Sequence, residues 1–119
     1  MDSQCRTALI TGASVGIGRA CALEFARYGA EIILLDIDYE KLLSVKNEAE
    51  AFGVRVLVYR CDISDEGKVN RVIGDAIEKF GKIDILVNNA ARICFLASKE
   101  ASYIVGQTIP IDGCRKTLG

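Results

Sequence analysis

Apolar residues follow two alternating patterns along the chain, and together they predict its secondary structure. Short continuous apolar runs are typical of strands buried on both faces, whereas apolar residues spaced three or four apart are typical of amphipathic helices. The predicted strands are Thr7 to Thr11, Glu31 to Asp36, Val54 to Arg60, Ile83 to Asn88 and a weaker one, Thr108 to Ile111. Strands that alternate with helices predict an α/β fold with a parallel sheet.

The predicted helices have start and stop signals at their ends. They run from about Gly16 to Tyr28, Tyr39 to Phe52 and Glu66 to Phe80, with a short fourth helix from Ser98 to about Val105. The first three end at Gly29, Gly53 and Gly81, and the fourth at Gly106; we expect left-handed glycine caps at the first three ends. Ser64, with Asp65 and Glu66, is expected to provide the N-cap and the first-turn acids of the third helix.

The run from Thr11 to Gly18, Thr-Gly-Ala-Ser-Val-Gly-Ile-Gly, lies where the first strand gives way to the first helix. Gly12 allows a sharp turn, and Gly16 and Gly18 leave room for a pyrophosphate beside the first amide groups of the helix. The predicted binding residues of this loop are Gly12, Ser14, Gly16, Ile17 and Gly18. The alternative is a connection that needs glycines only for its geometry, but the strand-turn-helix context favours a dinucleotide.

Length, composition and charge narrow the classes of function. The chain has 119 residues, a hydrophobic fraction of 50% and a net charge of -1, so we expect one domain, 1–119, with no nucleic-acid or membrane partner. Neither a leader pattern nor a run long enough to span a bilayer is seen, which predicts a cytoplasmic protein. The five cysteines are scattered singly and histidine is absent, so we predict reduced thiols, no metal site and no histidine-based catalysis.

The loop spacing, Thr-Gly-x-x-x-Gly-x-Gly, resembles the cofactor loop of the short-chain dehydrogenases/reductases, whose Rossmann-like, doubly wound sheet binds NAD(P). Asp36 ends the second strand 18 positions after Gly18 and would accept hydrogen bonds from an adenosine ribose. Its charge would repel a 2'-phosphate, and neither Ile37 nor Asp38 is basic, so NAD is predicted over NADP. The alternative is an ordinary acid at a strand end.

Two more motifs are similar to those of the family. Asp62 and Ile63 follow the third strand, where the resemblance implies contact with adenine; the alternative is a turn in which Asp62 only caps the next helix. Asn88-Asn89-Ala90-Ala91 resembles the family's Asn-Asn-Ala-Gly. The resemblance implies that Asn88 braces the sheet and that Ala90 lines the ribose.

The resemblance to the cofactor half covers residues 1–93, and residues 94–119 resemble the family's carboxy-terminal tail. The family's catalytic Ser and its Tyr-x-x-x-Lys are not found between the two parts, so no catalytic residue is predicted. Tyr103 is followed at the fourth position by Gln107, which has no charge to lower a tyrosine pKa, and Ser98 is simplest as a helix N-cap. Lys99 could pair with Tyr103 in reversed order, as an alternative.

The shortened chain still has enough residues for a fifth parallel strand. The crossover from Asn89 to Gln107 is long enough for a right-handed connection, so we predict about five strands in the order 3-2-1-4-5. Pro110 belongs on an edge strand or at a strand start. Loss of covering elements would expose apolar surface and allow self-association through the sheet edge. Cys94 and Cys114 are expected to be packing or incidental thiols rather than nucleophiles.

Three functions agree with these features. The first is an NAD-binding Rossmann module of an oxidoreductase family that is catalytically deficient as it stands. The second is an incomplete version of an NAD-dependent alcohol or ketone oxidoreductase. The third is a non-enzymatic interaction protein that uses the exposed sheet edge.

Overall fold

The computed structural model describes residues 6–88 and 104–110 of the chain. The elements, in chain order, are β1 (Thr7–Thr11), α1 (Gly16–Arg27), β2 (Glu31–Asp36), α2 (Tyr39–Glu50), β3 (Val56–Arg60), α3 (Glu66–Phe80), β4 (Ile83–Asn88) and β5 (Ile104–Pro110). They form one five-stranded sheet in the order β3-β2-β1-β4-β5, and every neighbouring pair is parallel. This confirms the predicted α/β class and strand order.

Two apolar clusters, one on each face of the sheet, hold the fold together. Ile32 and Leu34 of β2 pack in the cluster that includes α1 and α2, whereas Ile33 and Leu35 pack in the cluster that includes α3. All four side chains are fully buried. The alternation along β2 therefore puts helices on both faces, which explains why the strand is apolar at consecutive positions.

The fifth strand is longer at its start than predicted. β5 begins at Ile104, whereas the sequence predicted a strand from Thr108 and a helix as far as Val105, stopped by Gly106. Residues 104–107 instead extend the parallel pairing with β4, in which Ile83 faces Ile104 and Asn88 faces Pro110. That end of the predicted helix was wrong; its other residues, Ile111 and the rest of the crossover lie outside the described residues. Pro110 is on an edge strand, as predicted.

Helix ends explain the smaller differences. The predicted glycine caps have positive φ at Gly29, Gly53 and Gly81, of 96°, 89° and 90°. α2 ends two residues before the predicted Phe52, because Ala51 is its C-cap and a turn leads to Gly53. β3 starts at Val56 rather than Val54.

The N-cap of α3 is Asp65, not Ser64. The Asp65 side chain accepts a hydrogen bond from the Lys68 amide at 3.1 Å, while the Ser64 hydroxyl donates to Asp62. Glu66 is the acid of the first turn, as predicted. Among the described helices, none is both long and apolar enough to cross a membrane.

Candidate functional site

Several of the predicted site residues meet at the carboxyl ends of β1, β2 and β3. A cleft of about 90 Å³ lies there, lined by Gly12, Leu35, Asp36, Ile37, Cys61, Asp62 and Ile63. Four of these seven residues were predicted from three separate motifs. In open parallel sheets, ligands bind in the crevice outside the carboxyl ends of the strands. The fold therefore brings the motifs together where a ligand is expected.

The β1–α1 loop borders this cleft, and its glycines differ in conformation. Gly12 and Gly16 have φ of 61° and 60°, a region that L residues with side chains rarely adopt. A Cβ added at Gly16 would have no atom within 4 Å, so the space beside it is open. Gly18 is buried within α1, where a missing side chain allows close packing of helix against strand.

The N-terminus of α1 has no side-chain cap, unlike those of α2 and α3, the other helices among the described residues. Its N-cap is Val15, a side chain without a polar atom, and its first turn contains no acidic residue. By contrast, Asp38 and Asp65 cap α2 and α3 by accepting amide hydrogen bonds. The first amides of a helix have no intrahelical acceptor and carry the positive end of its dipole. The start of α1, with Gly16 and Ile17, is thus suited to an anion such as a pyrophosphate.

Asp36 lies at the centre of a hydrogen-bond network between the loop and β2. Its Oδ2 accepts from the amide of Ser14 at 3.0 Å and from the hydroxyl of Ser14 at 2.6 Å. Its Oδ1 accepts from the Ile37 amide at 2.6 Å. The Ala13 amide, in turn, donates to the Leu35 carbonyl at 3.3 Å, which ties the loop to the end of β2.

The same contacts determine the charge of Asp36. Partial burial favours the neutral acid and raises the pKa. Hydrogen bonds from the Ser14 hydroxyl and from the amides of Ser14, Ile37 and Asp38 act in the opposite direction and prevail, so the pKa of Asp36 is lowered. The carboxylate is therefore ionised throughout the neutral range.

Asp62 lines the cleft from the β3 side and is solvent-exposed. Its Oδ1 accepts from the Ser64 amide at 3.0 Å and the Ser64 hydroxyl at 2.8 Å, and these bonds lower its pKa. Asp65 is the cap of α3, so Asp62 does not cap that helix, but the turn before the helix that the alternative expected is present. The carboxylate shapes the turn after β3 and also borders the cleft.

Ile37 and Cys61 also line the cleft, although the sequence did not mark them as site residues. Ile37 is 57% exposed, whereas Cys61 is buried. An apolar residue directly after the strand-end Asp36 was the available signal for Ile37. Both residues also border an adjoining hollow of about 320 Å³, whose other lining residues are Arg60, Asp62, Asp65 and Lys68.

The remaining predicted site residues are only partly covered. Asn88 is the last residue of β4, and Ala90 lies outside the described residues. Next to Asn88, the Val87 carbonyl accepts a hydrogen bond from the Thr11 hydroxyl at 3.4 Å, which ties the end of β1 to the end of β4. Ser98, Lys99, Tyr103, Cys94 and Cys114 also lie outside the described residues.

A larger hollow, of about 700 Å³, lies around the start of β3 and includes Glu50, Arg55, Lys79 and Phe80 in its lining. It contains none of the predicted site residues. Arg55 there is engaged with Glu31 and with the Phe80 ring, which lies 4.5 Å from the guanidinium carbon. Volume alone therefore does not select the candidate site; the smaller cleft is the candidate because residues of three predicted motifs line it.

Comparison with known proteins gives a family match over most of the chain. The family described as short chain dehydrogenase matches residues 6–105. The 7α-hydroxysteroid dehydrogenase of Escherichia coli strain K12 is 41% identical over 90 residues, which cover 76% of this chain and 34% of that protein. The 2-(R)-hydroxypropyl-CoM dehydrogenase of Xanthobacter autotrophicus is 43% identical over 114 residues, which cover 95% of this chain and 44% of that protein.

Solved structures agree with the fold. A crystal structure of NAD+-bound xylitol dehydrogenase matches with a TM-score of 0.74 and 36% identity, over 77% of this chain and 35% of that one. A 7α-hydroxysteroid dehydrogenase complexed with NADH and 7-oxo glycochenodeoxycholic acid matches with a TM-score of 0.73 and 38% identity, over 76% and 36%. The chain thus spans between about a third and somewhat under half of the length of these relatives.

Proposed function

The chain belongs to the short-chain dehydrogenase family, and from this premise we propose that its 119 residues form an NAD-binding module. The observation that supports this most directly is the cleft at the ends of β1, β2 and β3. Gly12, Asp36, Asp62 and Ile63 come from three motifs and line that one cleft. Two of the structural neighbours bind NAD+ or NADH, which agrees with a nicotinamide dinucleotide as ligand.

The pyrophosphate and the adenosine part of an NAD molecule would each have partners among these residues. The open space beside Gly16 and the start of α1 fit the pyrophosphate. The ionised Asp36 would accept hydrogen bonds from the adenosine ribose, and Asp62 with Ile63 would contact the adenine. Asn88 would brace the sheet below, and Ala90 would line the ribose. When bound, the nicotinamide would supply hydride chemistry.

A preference for NAD over NADP follows from the charge at the end of β2. A 2'-phosphate would lie near Asp36, whose hydrogen bonds keep it negatively charged. Ile37 and Asp38, the next two residues, provide no cation to neutralise the phosphate. Arg60 and Lys68 line the adjoining hollow, where they are accompanied by Asp62 and Asp65. We therefore expect weaker binding of NADPH.

Turnover is not expected from these residues alone. A tyrosine that exchanges a proton near neutral pH needs its pKa of about 10 lowered by a nearby cation. Gln107 takes the position four residues after Tyr103, and the family's Tyr-x-x-x-Lys is not found in this sequence. The module is proposed to hold the cofactor without transferring hydride.

Calorimetric titration of the chain with NADH and NADPH tests the cofactor proposal, followed by a hydride-transfer screen over secondary alcohols and ketones on the same sample. We expect NADH to bind more tightly than NADPH, with no turnover. Asp36→Ala should abolish the discrimination, while Glu78→Ala, which removes an exposed carboxylate from α3, should not. Absence of NADH binding to the wild-type chain would contradict the proposal.

A second candidate is an incomplete NAD-dependent alcohol or ketone oxidoreductase. Two observations favour it. The two relatives compared are dehydrogenases, and the chain spans at most 44% of the length of either one. Its prediction differs from the first at one point: turnover should appear in the screen, or should appear when the region that carries Ser and Tyr-x-x-x-Lys in relatives is supplied. NADH binding alone would not separate the two candidates, but turnover would.

A further inference from the structure

Ser14 is buried, with 7% of its surface exposed, and both of its donors point to one oxygen. Its amide and its hydroxyl donate to Asp36 Oδ2, at 3.0 and 2.6 Å, across 22 positions of sequence. The other oxygen, Oδ1, accepts from the Ile37 amide at 2.6 Å. The carboxylate is thereby held in one orientation from two directions.

These bonds leave little room for a ribose diol. A carboxylate offers about four acceptor positions: Ser14 and Ile37 take three, and the Asp38 amide also donates to this carboxylate. A diol that donates two hydrogen bonds therefore needs at least one donor to leave. The amide donors belong to the backbone, and the Ala13 amide, next to Ser14, is itself bonded to the Leu35 carbonyl. The Ser14 hydroxyl can rotate, and it can accept as well as donate.

We propose that Ser14 is a positioning residue for cofactor binding. Its hydroxyl holds the Asp36 carboxylate in place before binding, and leaves Oδ2 when a ribose hydroxyl takes its position. The displacement of the Ser14 hydroxyl by a ribose rests on the proposed function. The hydrogen bond by which Ser14 orients Asp36 does not, since it forms without a cofactor.

The titration of Asp36 reports on both halves. Loss of the Ser14 hydroxyl removes a bond to the charged form, so the pKa of Asp36 should rise in Ser14→Ala when no cofactor is present. Once a ribose hydroxyl has replaced Ser14, the variant and the wild type should titrate alike. The surrounding charges are the same in both proteins: Asp38 on α2's cap, Asp62 across the cleft, and Arg60, the register partner of Asp36 on β3. On α1, Arg19 is paired with Glu48 of α2.

The experiment is a carbon-13 NMR titration of the Asp36 carboxyl in the wild type, Ser14→Ala and Ser14→Thr, each with and without saturating NADH. We expect a higher pKa in Ser14→Ala without NADH, no difference from wild type with NADH, and a return towards wild type in Ser14→Thr. Near neutral pH, Ser14→Ala should bind NADH more tightly than wild type, by about fivefold at most, because cofactor binding has to break the Ser14 hydroxyl bond in wild type and not in the variant. On acidification, that affinity should decline at a higher pH than in wild type.

Two results would overturn the inference. An unchanged pKa in Ser14→Ala without NADH would show that the hydroxyl does not hold Asp36. An equal rise with and without NADH would show that the hydroxyl stays on Oδ2, against the displacement. If the wild type does not bind NADH, the proposed function fails together with the displacement, whereas the hold on Asp36 is still decided by the titration without cofactor.

Discussion

Two aspartates that line the same cleft, Asp36 and Asp62, are each bonded by a serine, and the two pairs differ in their separation along the chain. In one, Ser14 donates from its amide and hydroxyl to Asp36, a residue 22 positions away. In the other, Ser64 makes the same two donations to Asp62, only two positions away. The first pair is partly buried between the β1–α1 loop and β2, and the second lies on an exposed turn after β3.

The Ser14–Asp36 pair joins separate elements at the cleft, whereas the Ser64–Asp62 pair only shapes a turn. The bonds of Ser64 to Asp62 are local and can form wherever the turn forms, since aspartate side chains commonly bond backbone two residues ahead. The bonds of Ser14 to Asp36 require β1, the loop and β2 to be in place together. Both pairs lower the pKa of the carboxyl group, yet only the first depends on the tertiary structure. Cofactor binding should therefore depend more on Asp36 than on Asp62.

Replacement of Asp36 by alanine is expected to have the largest effect. It removes two acceptors for the ribose and leaves the donors of Ser14 and Ile37 without their partner. A loss of about 3 kcal/mol, or about 100-fold in NADH affinity, is expected. Calorimetry on Asp36→Ala measures it, with Glu78→Ala as the control. A loss of NADH affinity no larger than that of Asp62→Ala would contradict the expectation that binding depends more on Asp36 than on Asp62.

The loop that carries Ser14 can be tested through Gly16, with Gly53 as a matched control. Both have positive φ, 60° and 89°, and a Cβ at either would meet no atom within 4 Å. Alanine at either position should thus cost about 1 kcal/mol of folding free energy, from backbone strain alone. Only at Gly16 does the new methyl enter the space proposed for the pyrophosphate.

We therefore expect Gly16→Ala to weaken NADH binding by about tenfold or more, and Gly53→Ala to leave it within about twofold. Urea unfolding measures the shared stability loss, and calorimetry measures the binding loss. Equal NADH affinity in the two variants would place the pyrophosphate away from Gly16. It would also contradict the expectation that the β1–α1 loop contributes more to NADH binding than the turn after β3.

Asp62 should contribute less, and its contribution should be specific to the adenine amino group. Asp62→Ala is expected to weaken NADH binding by about fivefold, because it removes one hydrogen bond that the exposed carboxylate would accept from the adenine amino group. Reduced nicotinamide hypoxanthine dinucleotide, which lacks that amino group, should bind the wild type more weakly than NADH and should bind Asp62→Ala about as well as NADH does. If Asp62→Ala still preferred NADH to the hypoxanthine dinucleotide, Asp62 would not contact the adenine amino group, and its role would be limited to the turn after β3.

The same contrast explains what could be predicted from the sequence. The bounds of β1, β2, α3 and β4 were correct because each has an uninterrupted pattern closed by a clear turn signal. The glycine loop, Asp36 and Asp62 could be selected one by one from residue type and position. The pairing of Ser14 with Asp36 could not, because it depends on how the loop curves back over the end of β2.

Two errors have similar physical causes. At Ser64 and Asp65, two adjacent residues are both good helix caps, and the turn at Asp62 decides between them by engaging Ser64. At Ile104, a short apolar segment agrees with either a helix or a strand, and long-range pairing with Ile83 decides for the strand. The first choice is made by a hydrogen bond two positions back along the chain and the second by pairing across the sheet, and neither contact follows from the apolar pattern.

The smallest expected effect is on stability, and it compares the two serines directly. Ser64→Ala removes an exposed hydroxyl and keeps the amide bond to Asp62, so the free energy of unfolding should change by less than about 0.5 kcal/mol. Ser14→Ala removes a hydroxyl from a partly buried carboxylate and should cost about 1 kcal/mol after allowance for solvent screening. Urea unfolding of both variants measures the difference.

The loss of stability in Ser14→Ala should depend on pH, and its direction follows from the lowered pKa of Asp36. Because folding lowers the pKa of Asp36, its stabilising effect is complete above the unfolded-state pKa of about 3.9 and is lost as the pH falls through the lower folded-state value. The stability gap between wild type and Ser14→Ala should consequently be widest near neutral pH and should narrow in acid below about pH 4. A gap that stays constant on acidification would mean that the Ser14 hydroxyl stabilises the loop through its packing, and that the charge on Asp36 contributes nothing to the contrast with Asp62.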